Sequence, residues 1–282
     1  MPHTLSVFQS LWAMEGLPWR GAAPWPLEER VRRVAEAGFA GVGIDTFSPV
    51  KTPPPHVIEP LLRDAGLRVS VTVFVTETRP LAEGLRYAAE VGAELVVVCG
   101  QVFPETVDDA AVLVGSWMEE AEAAGLPMHL ETHRYTLTND LGFTARLVER
   151  VPEVRLALDL SHYVVGNELP DLDEPRVEEQ IATLLAHGGS VQGRVATREQ
   201  IQVPLAFPQH APAVARFRRW WERAFAAWRE RGENDDCVFL CELGTLPYPV
   251  TGPDGRELSD RWAESLVLRS WAEELFAETV PA

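Results

Sequence analysis

Residues 68–100 read RVSVTVFV TETRP LAEGLRYAAEV G AELVVVCG, and this stretch decides the fold. Arg68 to Val75 alternates and is rich in Val, the pattern of a strand with packed faces. Leu81 to Val91 has helical spacing, and Gly92 lies where a helix stop belongs. Glu94 to Cys99 reads as a strand, and its apolar run from Leu95 is short enough for burial on both sides. Strand, helix, glycine and strand within about thirty residues make one βαβ unit, with parallel strands and a right-handed crossover.

The same unit repeats in both directions. Strands are predicted at Leu5–Ala13, Gly41–Phe47, Met128–His133, Val154–Leu160, Ser190–Val195 and Cys237–Leu243. Helices are predicted at Leu27–Ala37 and Val57–Ala65, with Gly38 and Gly66 as stops, and at Asp108–Ala124, Leu141–Arg150, Glu174–Ala186, Ala213–Arg231 and Arg261–Phe276. Gly188 and Gly189 read as the stop after the 174–186 helix. Eight strand–helix pairs in series close into a single (β/α)8 TIM barrel more naturally than they extend an open sheet. No segment is long enough for a linker, so residues 1–282 are expected to form one domain. Residues 196–212 carry no strand or helix signal and follow a strand, which places on the catalytic rim a loop of the length used for lids and binding loops.

Composition narrows the function. The net charge is -17, which opposes nucleic acid and an anionic membrane surface, since both need basic patches. Lys51 is the only lysine, which disfavours Schiff-base chemistry. Cys99, Cys237 and Cys241 are an odd set and read as reduced buried thiols of a cytoplasmic protein. Neither a signal peptide nor a membrane span is evident. Val214, Phe217, Trp221, Phe225 and Trp228 recur at helical spacing and are expected to pack on the barrel, with Trp220 beside them as a candidate dimer contact.

In a β/α barrel the chemistry sits at the C-terminal strand ends. Each of the last four strands ends in a polar group: Glu131 in HLETHR, Asp159 in ALDLSH, Gln192 in SVQGR and Glu242 in FLCELG. An acid closing an apolar strand is costly unless paired, hydrogen-bonded or metal-bound. Three carboxylates and an amide oxygen on one rim suit one hard divalent cation, Mn2+ or Mg2+, with Co2+ or Zn2+ as softer alternatives. The competing reading is separate ion pairs with Arg134 or Arg194. His133, His162, Arg194 and Asp45 are candidates to hold substrate. His129, on the face of Glu131, reads as a core or supporting histidine, and Glu15 as a surface or supporting acid.

The ETHR, DLSH and late ELG-plus-PY segments, in that order on strands five, six and eight, resemble the xylose isomerase-like TIM barrel superfamily, the sugar phosphate isomerase/epimerase group. The resemblance implies a Glu, Asp, His, Glu set holding one divalent cation, which maps to Glu131, Asp159 and Glu242. The family's seventh-strand His is replaced here by Gln192, within Gln192-Gly-Arg-Val195, and Gln200-Ile-Gln-Val203 resembles a loop segment of the same group. It further implies isomerase or epimerase chemistry of carbohydrate metabolism: Glu131 and Glu242 move a proton next to a carbonyl through an enediolate stabilised by the metal. The expected partner is a small sugar or sugar-like substrate, and a homo-oligomer would suit the family. Two alternatives stay open: a metal-dependent dehydratase of a sugar or inositol derivative, and a metabolite-binding barrel without turnover because of Gln192. The DNA-repair branch of the superfamily is disfavoured by the charge and the small number of histidines.

Overall fold

A computed structural model describes residues 3–46, 52–170, 173–232 and 236–279. Phe47, the expected end of the second strand, and Lys51 lie outside the described residues. The strands are β1 Thr4–Ser10, β2 Gly41–Thr46, β3 Arg68–Val75, β4 Leu95–Gly100, β5 Met128–Glu131, β6 Arg155–Leu158, β7 Gly188–Gly193 and β8 Asp236–Cys241. Every neighbouring pair is parallel and β8 returns to β1, so the sheet is a closed eight-stranded barrel. The helices are α1 Leu27–Glu36, α2 Pro55–Ala65, α3 Leu81–Glu90, α4 Val107–Ala123, α5 Leu141–Arg150, α6 Ser161–Gly166, α7 Pro175–Ala186, α8 Ala211–Arg231 and α9 Arg261–Glu278. Among the described residues, no helix is long and apolar enough to cross a membrane.

Two apolar regions hold the fold. The larger lies between sheet and helices. The smaller fills the barrel with Phe8, Leu95, Val97, Ala157, Val238 and Leu240. Below this plug, at the N-terminal strand ends, Arg68 is paired with Glu94 at 2.5 Å and Asp236 at 2.8 Å. Above it the interior turns polar. A dry apolar layer between two polar ends is what makes the upper end a site rather than the mouth of a pore.

The structure corrects several sequence expectations. Gly188 and Gly189 begin β7 instead of stopping a helix. A Cβ on Gly188 would lie 2.5 Å from Leu158 Cδ1, and one on Gly189 would lie 2.4 Å from His129 Nε2, so Gly188 serves close packing on the helix side of the sheet and Gly189 makes room for the His129 ring. β5 ends at Glu131, because the Thr138 hydroxyl donates to the Glu131 carbonyl at 2.6 Å and accepts from His133 N at 3.1 Å. His133 therefore lies beyond the strand, in the turn that follows it. Helix α6 follows β6 directly, where none was expected. Trp220 is fully buried, and its Nε1 donates to Glu178 of α7 at 3.0 Å, so it is not a surface for a second copy. The 196–212 loop is tied down: Gln202 donates to the carbonyls of Gly244 and of Tyr248, the latter at 2.6 Å.

Candidate functional site

The polar end of the barrel holds Glu131, Asp159, Gln192, Arg194 and Glu242, all with 4 % or less of their surface exposed. Asp45 lines the adjoining cleft. The arrangement follows from the strand period: Gln192 is two residues beyond Ser190 and Glu131 two beyond His129, so both point inward above the plug. Asp159 follows β6, and its Oδ1 accepts from Ser161 N at 3.0 Å and from the Ser161 hydroxyl at the start of α6.

The acids do not all meet around one point. Arg194 stands between two of them, with NH2 2.7 Å from Glu242 Oε2 and Nε 3.2 Å from Asp159 Oδ2. The first contact is a hydrogen bond; the second is close but not aligned as one. Trp12 Nε1 donates to the other Glu242 oxygen at 3.1 Å. With the Gln192 amide turned so that its NH2 faces the acids, it donates to Glu242 Oε2 at 3.0 Å and to Glu131 Oε1 at 3.2 Å. In that orientation Gln192 cross-links two carboxylates through its nitrogen.

What converges instead lies toward β4, β5 and β6. Ligand atoms of Glu131, Asp159 and His162 lie within 4.8 Å of one another, and so do those of Cys99, Glu131 and His133. Glu131 Oε2 and Asp159 Oδ2 are buried without a hydrogen-bond partner. His162 Nε2 is 3.3 Å from Asp159 Oδ2, and the His162 and His133 rings lie 3.7 Å apart. The site thus gathers four carboxyl groups, with Arg194 between two of them and Arg134 over the Tyr248 ring 5.3 Å away.

The electrostatics reflect that excess of carboxyl groups. Burial pushes Glu131 well above the usual carboxylate range, and Glu242, Asp159 and Asp45 push it further. Asp45 is raised by burial and then by Glu242. Glu242 is also raised by burial, against the pull of Arg194. Burial would raise Asp159 too, but Arg194, followed by His162, outweighs it and holds this carboxyl below its ordinary value. Burial lowers His162 to about 4 and takes His133 well below the ordinary imidazole value. Both imidazoles are therefore neutral near pH 7, the form that ligates metals.

Whether a divalent cation fits can be judged from the donors. Glu131, Asp159 and His162 offer two carboxylates and an imidazole, with a buried oxygen of Glu131 that accepts no hydrogen bond and negative charge in excess. That set fits a cation with open coordination positions. Glu242 and Gln192 are engaged elsewhere.

Sequence reasoning missed three participants. Trp12 sits in a 3-10 turn (Trp12–Met14) just past β1. Tyr248 packs its ring 6.2 Å from Trp12 and 6.0 Å from the Arg194 guanidinium carbon. Cys99 closes an apolar strand on the rim, the same positional signal that exposed Glu131. Glu15, paired with Arg30, borders a cleft of about 320 Å3 lined also by Leu11, Trp12, Ile44 and Asp45.

No protein-family model matches the chain, and no curated protein matches it in sequence. Solved structures do match in fold. A xylose isomerase-like TIM barrel protein from Mycobacterium smegmatis, crystallised with magnesium, superposes with TM-score 0.60 at 16% identity, covering 98% of each chain. A D-tagatose 3-epimerase-like protein gives 0.60 at 13% identity, covering 99% of this chain and 100% of the other. A sugar phosphate isomerase/epimerase from Parabacteroides distasonis gives 0.56 at 15% identity, covering 100% and 96%. At such identities the likeness is one of architecture: over its whole length, the chain has the fold of the xylose isomerase-like TIM barrels.

Proposed function

We propose that the chain is a divalent-metal-dependent isomerase or epimerase of a small hydroxy-carbonyl compound of the sugar class. The observation that carries this reading is the meeting of Glu131, Asp159 and His162 within 4.8 Å, with a buried oxygen of Glu131 that accepts no hydrogen bond. A bound cation would polarise the substrate's carbonyl and offset the excess negative charge.

The remaining work falls to side chains. Glu131 and Glu242 lie on either side of the Gln192 amide, which fixes their separation, and they are the pair to remove and return the proton at the carbon beside the carbonyl. Arg194 and Trp12 hold Glu242 in orientation. His162, as a neutral ring, can donate to or accept from a substrate hydroxyl, and His133, whose Nδ1–H is held by the Arg134 carbonyl, can accept one at Nε2. Trp12 and Tyr248 offer aromatic faces for the apolar side of a sugar ring. The cleft toward Asp45 has the volume of a small-molecule site.

The test is α-carbon exchange. The protein, supplied with Mn2+ and a panel of ketoses in D2O, should incorporate deuterium, and Glu131→Gln and Glu242→Gln should each slow incorporation by about 10²–10⁴-fold. No incorporation from any ketose by a metal-loaded protein would overturn the proposal. One observation favours a second reading. Arg194 already neutralises Asp159 and Glu242, as expected of a barrel that binds a sugar without turnover. Metal analysis separates the two, since the binder would hold no stoichiometric ion.

A further inference from the structure

We propose that Cys99, Glu131 and His133 form a thiolate-containing cation position, selective for zinc-like ions over magnesium. The reaction proposed above plays no part in the argument, and the site stands whether or not the chain isomerises sugars.

The three side chains come from adjacent places: the end of β4, the end of β5 and the turn after β5. Their donor atoms lie within 4.8 Å of one another. His133 Nδ1 is 2.5 Å from the Arg134 carbonyl oxygen. A carbonyl only accepts, so Nδ1 carries the hydrogen and Nε2 keeps its lone pair. Orientation of a ligating imidazole by a backbone carbonyl is a recurrent device of metal sites. The Thr138 hydroxyl holds the turn from both sides, bonding the Glu131 carbonyl and His133 N. Phe74 packs edge-on against the His133 ring at 6.1 Å. Glu131 contributes a carboxylate whose Oε2 has no hydrogen-bond partner and is buried.

Cys99 is wholly buried and free. The other two thiols sit elsewhere: Cys241 Sγ faces the Ser265 carbonyl of α9, and Cys237 pairs in register with Leu5 near the opposite end of the barrel. One thiolate, one imidazole and one carboxylate suit Zn2+ or Co2+, whereas Mg2+ prefers an all-oxygen shell. Three protein ligands leave a fourth position open. Binding requires the thiol to lose its proton, so affinity should rise with pH.

Cobalt reports the sulfur directly. Full-length protein stripped with a chelator is titrated with CoCl2, with absorbance followed in the near ultraviolet and visible. The expected result is a stoichiometric sulfur-to-cobalt charge-transfer band, abolished by an equivalent of Zn2+ and unaffected by excess Mg2+. Cys99→Ser should remove the band and Cys241→Ser should keep it. His133→Gln, at a half-buried rim position, should weaken cobalt binding by more than the roughly 10–100-fold that follows loss of a ligand's supporting partner, and serves if Cys99→Ser does not fold. A folded wild-type protein that shows no charge-transfer band, or a band that survives Cys99→Ser, overturns the proposal. Mn2+ binding that persists in Cys99→Ser while the cobalt band is lost would separate this position from that of Glu131, Asp159 and His162.

Discussion

Arg261→Met should cost this protein more than any surface substitution, and it tests how the rim is held. Arg261 opens α9 with none of its surface exposed. Its guanidinium lies 2.8 Å from Glu264, 3.3 Å from Glu257 and 3.3 Å from the Val203 carbonyl. Glu264 in turn accepts from Leu205 N at 2.8 Å and from the Ser259 hydroxyl at 3.2 Å. Glu257 accepts from the backbone of Val250 and Leu258 at 3.0 and 3.1 Å. One cation therefore joins the loop after β7, the loop after β8 and the last helix. Met fills similar space without charge and leaves two buried carboxylates facing each other. Breaking a buried pair by removing one partner costs about 3–5 kcal/mol. The surviving backbone donors to both acids put this case near the lower end.

The sign of the pH dependence is fixed. Burial already raises Glu264 above its ordinary value, against the opposing pull of Arg261. Without Arg261 it rises further, so the folded variant holds a proton that the unfolded chain has lost. The variant's stability therefore falls as pH rises through that window and recovers on acidification. Urea unfolding followed by tryptophan fluorescence at pH 5 and 7.5 measures both effects. Arg63→Met, at the exposed pair with Glu59, is the control and should cost about 0–1 kcal/mol. A loss below about 1 kcal/mol for Arg261→Met at pH 7.5, or one that does not change with pH, would refute the reasoning.

Other consequences follow from the site and the plug. Arg194→Met should destabilise the metal-free protein by about 3–5 kcal/mol, and Mn2+ should restore part of that loss, as read by thermal shift with and without the ion. Gln192→His removes the amide that ties Glu131 to Glu242 and adds an imidazole, so calorimetry should find tighter Mn2+ binding than in the parent; unchanged or weaker binding would count against a cation near these acids. His129, lowered from 6.5 to about 4 by burial and then by Arg155 and Arg231, stays neutral in the fold over a range in which the unfolded chain takes up a proton. Stability should therefore fall as pH drops from 6.5 toward 4, by about 3 kcal/mol at most, and His129→Gln should flatten that slope in urea titrations.

The barrel was legible because parallel strands buried on both faces appear as apolar runs, and helix ends are marked by glycines such as Gly66 and Gly92. Misreadings arose where a residue serves two grammars. Gly188-Gly189 resembles a helix stop, yet in β7 it makes room for Leu158 and His129. His133 fits a period-two strand, but the Thr138 clamp turns the chain before it. Trp220 lies off the predicted stripe, yet α7 covers it and supplies Glu178 to its indole. The acids of the site were found by one positional rule, an ionisable group ending an apolar strand. The same rule also selects Cys99, although buried thiols are common. Arg194 was legible as a competing ion-pair partner, and the structure sets it against Asp159 and Glu242; which acids it would take could not be read, since the direction of a guanidinium depends on several strands at once.

The substitution on β7 has a structural consequence that ties these points together. An imidazole is compact and accepts a cation through one nitrogen; an amide offers a donor as well as an acceptor. Placed between Glu131 and Glu242, the Gln192 NH2 group satisfies an oxygen of each. Arg194, two residues on, then spans Glu242 and Asp159. The β7–β8 side of the rim is thus supplied with its own positive and donor groups. The acid left with an unsatisfied oxygen and no cation beside it is Glu131, since Asp159 Oδ2 has Arg194 and His162 against it, and the imidazole nitrogens nearby belong to His133 and His162. If cation binding follows uncompensated charge, it shifts toward β4, β5 and β6. Mn2+ should then depend more steeply on Glu131 and His162 than on Glu242. Calorimetry on Glu242→Gln and His162→Gln decides this: a larger loss of Mn2+ affinity in the Glu242 variant would place the ion back among β5 to β8.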